Sequence, residues 1–452
     1  MSKYLLLNIF LIFSLAANAQ QELTLPMLQD IPNSIRLNPA YKTDYKWTIS
    51  LPSTSNSAAS TGPTFNQIFE DNGNGSYTLH VAQAVAKLQA NNVITNTNRL
   101  EIFGLSFQNK KSLFHFNIGV RTAIGVDIPK GLAELAAFGN GPYVGQTLNV
   151  GPGLDIQAFT EVGLGYARQF GKLRIGATVK VLNGIASAKT TQKAISLYTD
   201  SEYYQLTATT DYQVQSSSFI SMDSLDNINI SFDELDPKIV AGNHGTAFDI
   251  GVVYDISDKF SISASAIDLG RISWTENAQT LHSKGSFTYD GIAANGGLSS
   301  IDSSSLTSFV DSIQKVFNFS QKAGEFTTPL AQKFTLGAQY KFGEKTTLSA
   351  MLDATSILDQ MRPAFALGAR TYVTNWLGLG GIVSYKNSEI DHLGLNATFK
   401  LGPVQLYLLS DNALSYLFPT NANDIHFRAG LNLVFGKLNR NPDGNKLLAP
   451  HL

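Results

Sequence analysis

Side chains able to do chemistry are few in this chain, and they are scattered. There is no Cys, which excludes disulfides, thiolate metal sites and a Cys nucleophile. The seven His residues form no His-x-Glu, His-x-x-x-His or His-Glu-x-x-His pattern, so no zinc-type ligand set is written in the sequence. A lipid-hydrolysing centre needs a Ser, a His and a carboxylate within hydrogen-bond reach of one another. His115 and His392 lie on polar stretches, but no adjoining Ser and carboxylate pattern singles out either. Asp233, Glu234 and Asp236 could approach a Ca²⁺ ion, yet their spacing lacks the ligand pattern of a calcium loop, and a solvated acidic loop fits better. Gly151-Pro152-Gly153 follows no phosphate-cradling layout. The expectation is a protein that is not an enzyme, with no catalytic residue, metal or cofactor.

One group of charges does share a setting. Arg121, Glu161, Arg174, Lys180, Asp249, Arg370 and Arg428, with Asp255, each stand on the polar side of an alternating segment. Phe114, Phe116, Ile118 and Val120 alternate with His115, Asn117, Gly119 and Arg121. Ile156, Ala158, Val162, Leu164 and Tyr166 oppose Asp155, Gln157, Glu161 and Gly165. Leu173, Ile175, Ala177, Val179 and Val181 oppose Arg174, Gly176, Thr178 and Lys180. Similar patterns run through 248–255, 333–342 and 427–435. Side chains alternate faces along a strand, so each segment reads as a β-strand with one apolar and one polar face.

Connections between these strands alternate in length. Short turns fall at 109–111, 171–172, 257–259, 343–344, 374–375 and 401–402. Long polar connections fall at about 53–98, 127–154, 187–245, 275–330, 355–362, 386–391 and 411–424. Short periplasmic turns and long extracellular loops are the signature of an outer-membrane barrel, and the walk gives about fourteen strands. In such a barrel the apolar face meets lipid. The seven charges named above are then candidate lumen-lining residues, which pair across the interior or line a polar conduit. Apolar residues at helical spacing predict short helices over 81–90, 131–138 and 306–317 within the extracellular loops. A further hairpin is expected between 203–214 and 217–222.

Bulk composition agrees. Charged residues are 15% of the chain, against about 25% for soluble domains. Net charge is −2, so no bulk field favours nucleic acid. Lys3, an apolar run from Tyr4 to Leu15 and Ala17-Asn18-Ala19 predict a signal peptide over 1–19 with cleavage before Gln20. The expected organisation is an all-β transmembrane barrel over 45–436, a leader or plug over 20–44 and a periplasmic tail over 437–452.

Longer motifs carry a resemblance. They are Asn38-Pro39-Ala40-Tyr41, Asp268-Leu269-Gly270-Arg271-Ile272-Ser273-Trp274, Gly402-Pro403-Val404-Gln405-Leu406-Tyr407, Ser410-Asp411-Asn412 and the run Arg428–Gly436. Together they resemble a Bacteroidota outer-membrane family of unknown function (DUF5723-type), similar in architecture to the long-chain fatty-acid transporter barrels. That resemblance implies fourteen strands, an N-terminal plug, contact with outer-membrane lipid and passive uptake of hydrophobic or amphipathic small molecules. Asn38-Pro39-Ala40-Tyr41 also looks like the start of barrels associated with type IX secretion and gliding. The alternative is therefore a structural barrel that binds secretion or cell-surface proteins. An apolar pocket running from the loops to a lateral gap in the wall would discriminate in favour of uptake.

Overall fold

The computed structural model describes residues 22–218, 220–222, 228–230, 242–289, 320–386 and 389–438. The leader at 1–19, the acidic triplet at 233–236, the helix expected at 306–317 and the tail from 439 onward lie outside the described residues.

Fourteen antiparallel strands form one closed wall. They are β1 (Tyr45–Ser60), β2 (Asn91–Gln108), β3 (Ser112–Pro129), β4 (Gly153–Phe170), β5 (Leu173–Thr199), β6 (His244–Asp255) and β7 (Phe260–Trp274). The second half is β8 (Lys333–Phe342), β9 (Thr346–Ile357), β10 (Gln360–Tyr372), β11 (Leu377–Lys386), β12 (Glu389–Leu401), β13 (Val404–Ser410) and β14 (Asp424–Lys437). Each strand pairs with the next in the chain, and β14 pairs with β1 from Tyr45↔Lys437 to Ala59↔Asp424, which closes the barrel. Closure leaves the wall no free edge.

The alternation sorts side chains inside out relative to a soluble protein. Leu164, Val181, Leu336, Leu352, Leu367 and Val383 are exposed on the outer face. Glu161, Lys180, Asp249, Thr335 and Asn432 are buried on the inner one. An apolar belt of that extent is unfavourable in water and favourable in lipid. Aromatic residues gather at the short-turn rim, where Trp47 packs on Phe107, Phe114 on Tyr166 and Trp376 on Phe399. Such a girdle suits the polar–apolar boundary of a membrane.

Three connections differ from expectation, the first being 386–391, where Lys386 of β11 pairs directly with Glu389 of β12. The stretch 355–362 is not a long loop: β9 and β10 meet in a two-residue turn, Leu358 at φ 48° and Asp359 at φ 60°. Two consecutive left-handed residues match the strand twist of a tight hairpin. Neither Leu nor Asp-Gln advertises such a turn as Asn-Gly does, and for that reason the sequence read as a loop. The hairpin expected between 203–214 and 217–222 is also absent. Instead Leu206–Ser218 is one strand, pairing with residues 186–199 of β5 on one side and with Gln279–Tyr289 on the other. Its terminal serines are held in strand by the ladder to Gln279, which overrides their turn preference. Among the described residues four short α-helices lie in the long connections: α1 (Phe65–Ile68), α2 (Val81–Ala86), α3 (Lys130–Phe138) and α4 (Leu414–Leu417).

Candidate functional site

Residues 22–44 run inside the barrel. Three prolines keep this stretch out of the sheet, because Pro lacks the donor that a ladder needs. Its apolar side chains fill the interior instead. Leu23 and Met27 pack on Met351, Ala364, Ala366 and Ile382. Leu25, Leu28, Ile31 and Leu37 pack on Ile267, Tyr407 and Leu409.

The wall also satisfies the segment's main chain. Arg174 donates to Ala40 O at 2.8 Å, Ser265 Oγ to Leu37 O at 2.8 Å, Gln339 to Met27 O at 2.8 Å and Lys333 to Glu22 O at 2.8 Å. Asn38 Oδ1 accepts from Ala40 N at 2.9 Å, while its amide reaches Ala264 O at 3.2 Å. Gly176 and Gly251 make room for this turn: a Cβ on Gly176 would stand 2.4 Å from the Pro39 carbonyl carbon, and one on Gly251 would stand 2.0 Å from Asn38 Oδ1. The Asn-Pro-Ala-Tyr motif is thus a docking turn.

Four of the charges named from sequence meet in one cluster. Arg121 donates both terminal nitrogens to Asp268, each at 2.8 Å, and lies 3.3 Å from Glu161. Lys180 bridges Asp249 and Asp268, both at 2.7 Å. Asp268 was not among the sequence candidates. It is a bulge residue with φ 61°, where the β6–β7 register slips, and its own N–H donates to Asp249 Oδ1 at 2.8 Å. A bulge adds one residue and re-aims a side chain inward. Strict period two therefore hides it, and only the Asp-Leu-Gly motif marks the place.

The other three charges are held separately. Arg174 lies 3.6 Å from Asp255. Arg370 reaches Asp30 of the inner segment at 2.7 Å, with Asn396 and Thr398 each at 2.9 Å. Arg428 pairs with Glu22 and lies 3.4 Å from Glu101, which also takes Arg36 at 2.8 Å and Asn33. Burial would raise the Glu22 carboxyl, but Arg428, Arg99, His426 and Lys333 outweigh it and bring the pKa down to about 2. Glu22, Asp30 and Glu101 escaped the sequence reading. The first two precede any strand, and Glu101 sits beside a bulge at Glu101/Phe103, just past the connection expected over 53–98.

The wall has a notch. β13 has seven residues and stops at Ser410, level with Leu395 of β12, while its last pair to β14 is Leu409↔Arg428. Beyond that level the connection 411–423, carrying α4, takes the place of a strand. Ala413 N donates to Leu393 O of β12 at 2.6 Å, and Tyr416 Oη donates to His426 O of β14 at 2.9 Å. Tyr416, Leu417 and Phe418 are exposed. Behind them lie the buried charges Lys386, His392, Asp411, Asp424 and His426. Asp411 also accepts the amides of Leu23 at 3.1 Å and Thr24 at 2.9 Å, so one carboxylate grips both the panel and the inner segment.

Here the fold brings together a Ser, a His and an Asp. Ser55 Oγ lies 3.4 Å from His426 Nε2, and Asp411 Oδ2 lies 3.3 Å from Nδ1. The polarity opposes hydrolysis. Nδ1 accepts the Asp411 backbone N–H at 3.0 Å, so the ring nitrogen that a triad carboxylate would orient is already held by main chain. His115 is buried and meets Thr178 Oγ1 at 3.0 Å, and His392 lies 3.4 Å from Asp424. Among the described residues no group of three His, Asp or Glu could hold a metal ion.

At the long-loop rim a cavity of about 510 Å³ opens inside the mouth. It is lined by the ends of β2 to β5 and, from across the barrel, by the β9–β10 turn. Lys189 lies 2.8 Å from Asp359 and 3.5 Å from Asp155, and Lys193 pairs with Asp127. Leu358 reaches the inner face of β3 at Gly125, where an added Cβ would stand 3.1 Å away.

Among solved structures the chain is similar to the Ralstonia pickettii toluene transporter TbuX, at 10% identity and a TM-score of 0.42 over 90% of this chain and 94% of that one. It is also similar to a Pseudomonas aeruginosa FadL homologue, at 9% identity and a TM-score of 0.41 over 93% and 100%. No curated protein matches it in sequence. The family of unknown function DUF5723 matches residues 39–411, a span that holds the docking turn from Pro39 onward, the Asp268 bulge and the strand before the notch. The chain belongs to that family.

Proposed function

We propose that this protein is an outer-membrane barrel for the uptake of hydrophobic or amphipathic small molecules. In this reading a signal peptide over 1–19 exports it, the mature chain begins at Gln20, and residues 20–44 are its plug. The short turns face the periplasm and the long loops face outward.

The notch carries the reading. A continuous ladder bars passage through a barrel wall, because each opened pair leaves main-chain polar groups unsatisfied in lipid. Between β12 and β14 the wall is instead a short segment tied by few main-chain bonds, with Tyr416, Leu417 and Phe418 exposed. A molecule dissolved in lipid could exchange there at lower cost than elsewhere.

The test uses the absence of native Cys. Leu393→Cys with Ala413→Cys places two thiols where the panel bonds to β12. Uptake of a fluorescent long-chain fatty acid by cells should fall on oxidation and return on reduction. Equal uptake in both states would sink the proposal and favour the barrel that binds protein partners.

A further inference from the structure

The mouth cavity carries an inference independent of uptake: we infer that it binds a zwitterionic group, an ammonium donor joined to an anion. Its charged lining among the described residues is Asp127, Asp155 and Asp359 against Lys189, Lys193 and Arg362. Three negative and three positive groups give no net field, which disfavours a solute carrying only one sign.

The six charges do not satisfy one another completely. Asp127 is only 8% exposed, and its Oδ1 has no hydrogen-bond partner, while its other oxygen takes Lys193. That oxygen is enclosed by protein, so Asp127 acts on the cavity through its charge and through the oxygen that takes Lys193. Lys193 keeps half of its side chain exposed, and Asp359 most of its own. The site thus offers accessible charges of both signs above a buried carboxylate. Among the described residues no aromatic ring lines it, and Val93, Leu154 and Leu358 are the only large apolar ones, so it suits a polar head better than an acyl chain.

The turn that completes the cavity is itself unusual. Both residues at 358–359 are left-handed without being Gly, a conformation that L side chains rarely adopt. Leu358 pins the turn against β3, and Asp359 extends to Lys189. That brings a carboxylate from the far wall to the basic side of the cavity.

The ligand could be a free solute or the headgroup of a membrane lipid, and one experiment separates them. The full barrel, in a non-ionic polyether detergent, is titrated calorimetrically with O-phosphoethanolamine, ethanolamine and glycerol 3-phosphate. The zwitterion should bind at least tenfold tighter than either single-sign probe, and Asp127→Asn should lose about tenfold. Asp359 lies on an exposed turn, so Asp359→Lys leaves the wall intact and should shift the preference toward glycerol 3-phosphate. In nanodiscs, loss of probe binding with phosphatidylethanolamine but not with phosphatidylglycerol assigns the site to lipid. Retention in both assigns it to a free solute. Equal binding of the three probes, no binding of any, or an unchanged preference in Asp359→Lys would overturn the inference.

Discussion

At the scale of single residues, the interior is decided by a few buried charges. Asp268→Asn leaves Arg121 and Lys180 short of their shared carboxylate. Removing one partner of a buried ionic group costs about 3–5 kcal/mol, so the urea midpoint of the folded barrel should drop clearly. On the outer face, Leu336→Arg sets a charge in the lipid belt, at about 2–4 kcal/mol near the bilayer midplane, and should abolish the heat-modifiable band on gels. Alternation made both faces readable from the sequence. It also suggests that inward changes are the milder ones, which assumes a wet lumen. Asn117 is 4% exposed, and a Cβ on Gly163 would come within 2.6 Å of its side chain. Asn117→Arg should therefore fail in the same gel assay as Leu336→Arg does. Period two tells which way a side chain points, but not whether water or protein waits there. Nor does it survive the bulge that turns Asp268 inward.

At the scale of elements, the inner segment is held by shape and by charge. Gly176→Leu drives a side chain into the Pro39 carbonyl and should expel the segment. Limited proteolysis should then cut within 22–44, and the folded gel mobility should be lost, because the displaced segment no longer supports closure of β14 on β1. The Glu22 tie has a pH signature. Its folded pKa is depressed to about 2 from 4.5, so its contribution is fully present above about pH 4.5 and is lost as pH falls through about 2. Hydrogen exchange at the Leu23 and Thr24 amides should accelerate across that window, beyond the change seen in Glu22→Gln. Strand existence was legible here because each strand repeats its pattern over several residues. Ends were not: β1 runs on to Ser60 and β2 starts at Asn91 through stretches of Ser, Asn and Thr that carry no apolar alternation. Those polar pairs lie above the belt, where neither face needs lipid, so only the ladder to the neighbouring strand holds them.

At the scale of the whole molecule, sidedness follows from loop length. Thiol labels at Lys110, Lys172 and Lys259 should stay hidden on intact cells, and a label at Tyr203 should react; the reverse result would invert the barrel. The strand count was legible because it needs only the alternation of short and long connections. A plug over 20–44 was an expectation of the sequence, but its contacts were not legible, because no local pattern in residues 22–44 names partners that lie hundreds of positions away. That distance has a consequence for how the molecule is made. Glu22 meets Arg428, Asn33 meets Asn432, and Asp411 meets Leu23, so the start of the chain is completed by its end. A segment gripped by every part of a closed ring cannot easily be threaded in afterwards. The N-terminal stretch would have to be lying in place when β14 zips to β1, which makes it a mould around which the last strand sets. Contacts of such sequence separation form slowly. A chain lacking 22–44 should accumulate as an open sheet, with the unsatisfied edges of β1 and β14 available to any other strand that meets them.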